Sequence, residues 1–300
     1  MLKRSITGAV IMLVTLLFVV LKQFSPLFFD AYVLIIMYGA LYEMYKVHQL
    51  SGKDANFVLL FSVPAISCLI LNLANTYFSG ILYIALLVIL ILMIVMIEEI
   101  VAFANDRRDG TNEKNVAVLN KTLFHKTQST MQVIAYPILP LIFLMALNHI
   151  VYDMAYIGII LVFAVSMLTD TCAYLVGKFF GKTKFIPEVS PNKTVAGVVG
   201  GFIGGIIGAL ACFFIFYYTD LFALQNYGSM ALLICVFIAI GIFGSFITQL
   251  GDLIASAFKR KNNIKDFSNV FPGHGGFMDR VDGLMFNAAL IYVIFVLFLV

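Results

Sequence analysis

Between Gly251 and Gly283 the chain concentrates groups that can handle phosphate. Asp252, Ser256 and Lys259 are spaced i, i+4 and i+7. On a helix they share one face and present a carboxylate, a hydroxyl and an ammonium in line. Arg260, Lys261, Lys265 and Asp266 follow. Pro272-Gly273-His274-Gly275-Gly276 must then turn, because glycines allow close backbone approach and positive φ. Asp279 and Asp282 open the next apolar run at i, i+3, with Arg280 between them. Carboxylates hold Mg2+, and Mg2+ with basic side chains holds polyphosphate. A loop that merely neutralised itself would not need four charges at the edges of apolar runs.

A second set lies upstream. Asp170 sits in Thr169-Asp170-Thr171-Cys172-Ala173-Tyr174 near the end of an apolar run. Gly177, Gly181, Lys182 and Lys184 follow, and Ser190-Pro191-Asn192-Lys193-Thr194 leads into the next run. A lysine-bearing Ser/Thr turn before a helix suits phosphate, because helix N-termini present free N–H groups. A plain helix cap with a lysine at headgroup level fits that turn as well.

The elements that carry these residues are membrane helices. The chain has 300 residues, 62% apolar and only 12% charged, with a net charge of +3. Soluble domains run at about 45–50% apolar and about 25% charged. This excludes a soluble enzyme, a coiled coil or a nucleic-acid module. Apolar runs occupy 6–21, 27–45, 57–75, 79–104, 132–150, 155–177, 195–218, 229–251 and 283–300. They are continuous rather than alternating, and ~20 residues is the helical length for a bilayer. With nine spans, every lysine and arginine except Lys22 falls on one side, which the positive-inside rule makes cytoplasmic. The N-terminus is then inside and the C-terminus outside. The first run follows Lys3 and Arg4 in signal-peptide fashion, but no small-x-small cleavage pattern succeeds it, so it reads as a retained span.

Other features read as structural. Cys68, Cys172, Cys212 and Cys235 lie in apolar stretches without CxxC spacing, so neither zinc nor disulfides are expected. Glu43, Glu98 and Glu99 sit at the inner ends of spans, where water can reach them. Gly197, Gly200, Gly201, Gly204, Gly205 and Gly208 line one region of the seventh span and suit close helix packing, a homodimer included. Stretch 105–131, with Val116, Leu119 and Leu123 at helical spacing, fits a surface helix or a solvated loop equally.

The pattern Ser256-x-x-Lys259-Arg260, Lys265-Asp266, Pro272-Gly-His-Gly-Gly276, Asp279-Arg280-x-Asp282 closely resembles the signature of phosphatidate cytidylyltransferases (CDP-diacylglycerol synthases). Asp170-Thr-x-Ala-Tyr174 and Ser190-Pro-x-Lys-Thr194 also resemble that family, and the likeness covers about 155–300. Asn192 and Ala196 depart from it, standing where the family carries a second basic residue and an acid. The resemblance implies a reaction joining CTP and phosphatidic acid into CDP-diacylglycerol and pyrophosphate. It implies Mg2+ held by Asp252 and Asp279, with Asp282 and Asp170 as further candidates, and more loosely a second, monovalent cation such as K+. Lys259, Arg260, Lys265 and Arg280 would bind phosphates, and Ser256 would orient one. Asp170, Ser190, Lys193, Thr194, His274, Gly275 and Gly276 would line the substrates.

The expectation is therefore an all-α, polytopic membrane protein with about nine spans. Residues 1–150 would form an N-terminal transmembrane region with a cytoplasmic loop, and 151–300 the catalytic region. The setting would be a bacterial inner membrane, with the site facing the cytoplasm and no nucleic-acid partner. A transporter would place charges near the bilayer midplane, and the sequence does not. A related transferase acting on a polyprenyl or ether lipid could use the same residues.

Overall fold

The computed structural model describes residues 2–50, 55–74, 126–150, 152–219 and 224–298. The expected span 79–104 and most of the stretch 105–131 lie outside them. The helices are α1 (Leu2–Leu21), α2 (Pro26–Leu50), α3 (Phe57–Ala74), α4 (Lys126–Asn148), α5 (Tyr152–Phe180), α6 (Val195–Thr219), α7 (Met230–Lys261), α8 (Met278–Val281) and α9 (Leu284–Phe298). Among the described residues there is no β-strand beyond isolated bridges. Five helices (α2, α4, α5, α6 and α7) are long and apolar enough to cross a membrane, and α1, α3 and α9 contain shorter apolar helices. An all-α membrane architecture therefore stands.

Two boundaries differ from the sequence expectation in ways that matter. Helix α7 does not stop near Gly251 but continues to Lys261, capped at its start by the Ser229 side chain. The extra turns carry Asp252, Ser256 and Lys259. The last span is preceded by a separate one-turn helix, α8, so Asp279 and Asp282 do not share a continuous helix with α9.

The glycine residues of α6 are consumed within the chain. A Cβ at Gly200, Gly204 or Gly208 would strike the α5 carbonyls of Cys172, Leu168 and Ala164. One at Gly201 or Gly205 would strike Gln249 or Ser245 of α7. The stripe brings backbones together, as small residues do between membrane helices, and is not left for a second copy. A neutral polar seam runs beside it. Thr169 donates to Ser245 at 3.3 Å, Ser166 pairs with Thr248 at 3.3 Å, and Asn287 of α9 donates to Ser166 at 3.0 Å.

The two ends of the bundle differ in character. At one end, Asp30 of α2 is fully buried and accepts from Asn72 (2.9 Å), Asn148 (2.8 Å) and His149 (2.8 Å). Lys22 donates to the Asn148 carbonyl and lies 4.7 Å over the Tyr156 ring. The one basic residue that broke the charge pattern is thus a buried structural group. Burial pulls its ammonium down to about 8, with Asp30 opposing. The other end gathers the start of α1, the ends of α2, α5 and α7, and the starts of α6, α8 and α9.

At that second end α7 and α9 touch backbone to backbone. A Cβ at Gly283 would lie 2.8 Å from both the carbonyl oxygen and Cγ2 of Thr248. Gly283→Ala should therefore force the helices apart and cost about 1–3 kcal/mol. Thermal unfolding in detergent should show a lowered Tm. Gly8→Ala, where the nearest atom is His274 Nε2 at 3.5 Å, should leave it unchanged.

Candidate functional site

The glycine turn forms as its sequence demands. Gly273 and Gly275 take φ of 77° and 79°, and Phe271 N–H donates to the Gly275 carbonyl at 2.9 Å. Two carboxylates then take three successive N–H groups. Asp279 accepts from Gly276 (3.0 Å), and Glu43 of α2 accepts from Phe277 and Met278 (2.9 Å each). Asp279 Oδ2 also accepts from Phe267 N–H, and its Oδ1 from Lys259 at 2.7 Å. Both Asp279 oxygens are engaged, and the Lys259–Asp279 pair is largely buried. Glu43 is 3% exposed. It was expected at a solvated helix end, but it is held inside by the turn, including a bond from Ser268.

A Cβ at Gly251 would collide with the Asp282 carbonyl, so α7 and the α8–α9 junction meet there. This brings Asp252 and Asp282 into one electrostatic neighbourhood, which Asp170 of α5 also joins. Solvent reaches all three, with Asp170 exposed and the others intermediate, although protein surrounds them. Burial, then Asp252 and Asp170, push the Asp282 carboxyl well up from the usual range, against Lys259 and the Gly283 N–H.

Cations border these acids. Lys193 pairs with Asp252 at 2.8 Å and donates to the Gln249 carbonyl at 3.1 Å. It is placed by the turn before α6, where Thr194 bridges to Lys184 and its hydroxyl caps Gly197 N–H at 3.1 Å. Arg280 acts on Asp170 electrostatically. Arg260 reaches the Val189 carbonyl at 3.5 Å, joining α7 to the turn that holds Ser190. Ser256 lies on α7 between Asp252 and Lys259. Lys265 is exposed on the loop beyond it. His274 packs beside Gly8 of α1, and Gly275 and Gly276 are buried against Asp279 and Glu43.

Tyr136 was not singled out in the sequence. The helical path breaks there (φ −150°, ψ 106°), and its ring stacks on Phe286 at 5.7 Å. Its hydroxyl is buried, lacks a hydrogen bond and feels Asp282, Asp252 and Asp279. The only local hint is Pro137, which disfavours helix at the residue before it.

Three acids in one electrostatic neighbourhood, one of them paired with Lys193, fit a divalent ion. Among the described residues no group of three or more His, Cys, Asp or Glu forms a ready-made metal cage. Mg2+ is commonly held by one or two carboxylates, with substrate phosphates and water completing its shell. Asp252 and Asp282 suit that arrangement. Asp279 joins it only by giving up Lys259.

Comparison with known proteins matches residues 2–298 to the cytidylyltransferase family. A phosphatidate cytidylyltransferase of Staphylococcus haemolyticus is 39% identical over 138 residues, covering 46% of this chain and 48% of the relative. One from Staphylococcus aureus is 37% identical over the same length and shares of each chain. One from Bacillus subtilis is 39% identical over 130 residues, 43% of this chain and 44% of the relative. The chain thus spans about half the length of the curated relatives it matches.

The raised Asp282 carboxyl has a consequence for stability. In the unfolded chain it titrates near about 4, so between that pH and its folded value the native state holds the extra proton. Its contribution is complete below about 4 and is lost as pH rises toward the folded value. Without divalent cations Tm should fall over this range, and Asp282→Asn should flatten the decline. An unchanged slope in the variant would contradict the assignment.

Proposed function

Since the chain belongs to the cytidylyltransferase family, we propose that it transfers cytidylyl from CTP to phosphatidic acid, giving CDP-diacylglycerol and pyrophosphate. The observation that carries this is the group of charges at one end of an apolar bundle, where Asp170, Asp252 and Asp282 influence one another and Lys193 and Arg280 offset them. The motif extending from Ser256 to Asp282 supplies Asp282 and Arg280 to this group.

The chemistry suits such a group of charges. A phosphatidate oxygen, anionic at neutral pH, attacks the α-phosphorus of CTP. A new P–O bond forms, the bond to the β-phosphate breaks, and pyrophosphate leaves with that electron pair. The nucleophile needs no general base. What the step needs is alignment of two mutually repelling anions and neutralisation of developing charge. Lys193 is held where it meets phosphate from the Asp252 side, and Arg280 from the side of Asp170. Lys259 holds Asp279, which keeps the glycine turn closed. Ser190 and Thr194 shape the turn that presents Lys193. Asp252 and Asp282 would hold Mg2+, which when bound would offset the charge of the triphosphate. A monovalent cation beside Asp170 would further relieve its repulsion with Asp252.

The site end faces the cytoplasm in this reading, in a bacterial inner membrane. Support comes from the basic residues gathered there and from the burial of Lys22, the one exception, at the far end. The nucleotide then arrives from the aqueous side and the lipid headgroup from the inner leaflet.

Labelled CTP and phosphatidic acid supplied to the purified protein should yield a lipid-soluble nucleotide. EDTA should abolish the product and Mg2+ restore it, and Asp252→Asn or Asp282→Asn should lower the rate at least about 100-fold. Activity indifferent to chelation would defeat the metal assignment. Asn262→Cys, with the native cysteines replaced, should react with an impermeant thiol reagent only from the cytoplasmic side. Labelling from outside would reverse the topology.

A further inference from the structure

Glu43 stands on the second helix, more than 200 residues from the signature motif, yet it grips that motif directly. One oxygen accepts from Phe277 N–H and the Ser268 hydroxyl, the other from Met278 N–H. One turn earlier on α2, Gly39 receives the Phe277 ring, and any Cβ there would strike it. A Cβ at Gly276 would strike the Glu43 carboxylate itself. The same face of α2 thus carries a notch for the ring and a double acceptor for the backbone.

The gripped segment is short. Met278 begins a helix of four residues, Met278–Val281, that contains Asp279 and Arg280, with Phe277 at its N-cap and Asp282 at its C-cap. Asp279 pins Gly276 N–H from the other side. A one-turn helix has little cooperativity of its own, so its direction is set by what holds its first N–H groups. Losing the grip would also leave the buried Met278 N–H without an acceptor, which is costly.

We propose that Glu43 is a positioning residue for the reaction: its carboxylate fixes the orientation of the segment that bears Asp279, Arg280 and Asp282. What is being positioned for chemistry rests on the functional reading above, whereas the grip on the turn does not. Glutamine is the informative replacement. It keeps the length and one acceptor, but its NH2 cannot accept from an N–H.

The test uses the full chain in detergent and compares Glu43→Gln with wild type. Hydrogen–deuterium exchange over 271–283 should speed up in the variant without a matching change at the Asp30 end. Per folded molecule, kcat should fall about tenfold or more, KM for CTP should stay within about threefold, and half-saturating Mg2+ should rise severalfold. His149→Ala, which removes the donor to Asp30 at the opposite end, serves as the purely structural comparison. It should lower Tm without moving the Mg2+ curve. Unchanged exchange over 271–283 in Glu43→Gln would overturn the grip. Wild-type kcat and Mg2+ dependence per folded molecule would overturn the positioning role. An inactive wild type whose variant still shows faster exchange would remove the functional reading and the positioning role, and leave the grip standing.

Discussion

The site depends on one contact, the meeting of two backbones where Gly251 of α7 reaches the Asp282–Gly283 junction. No side chain separates them, so the acids that flank these glycines are brought into one electrostatic neighbourhood. Like charges so placed repel, and burial makes the repulsion expensive. A proton or a cation eases that repulsion, as Lys193 does for Asp252. Helix packing, a matter of shape, thereby creates a demand for positive charge at one point of the membrane edge.

The rest of the bundle keeps that contact in place. The glycine stripe of α6 locks α5 against α7, which sets Asp170 beside Asp252. The neutral seam of Ser166, Thr169, Ser245, Thr248 and Asn287 ties α5, α7 and α9 together without placing charge in the apolar interior. At the opposite end Asp30, His149 and Lys22 form a compact buried knot. The two polar ends do different things: one is closed on itself, while the other leaves carboxylates open to solvent.

Some of the site was legible because its signals are local. The i, i+4, i+7 spacing on α7, the glycine turn and the lysine turn before α6 all form as their residues require. Other parts were not. Asp279 and Asp282 read as a pair on one helix turn, but the chain breaks between α8 and α9. Asp279 closes the loop with Lys259, while Asp282 faces Asp252. Glu43 read as a solvated helix end because nothing near it in sequence reveals a partner 235 residues away. Tyr136 carries no signal in the sequence beyond the Pro137 that follows it.

By itself the sequence determined the membrane partition, the helical class and the residue types available for phosphate chemistry, since hydropathy, charge and turn propensity act over a few residues. Only the tertiary structure decided which acids face one another, which are spent on backbone amides, and that α2 holds the glycine turn. Those choices follow from close packing between segments far apart in the chain, where a missing Cβ or a single carboxylate sets the geometry.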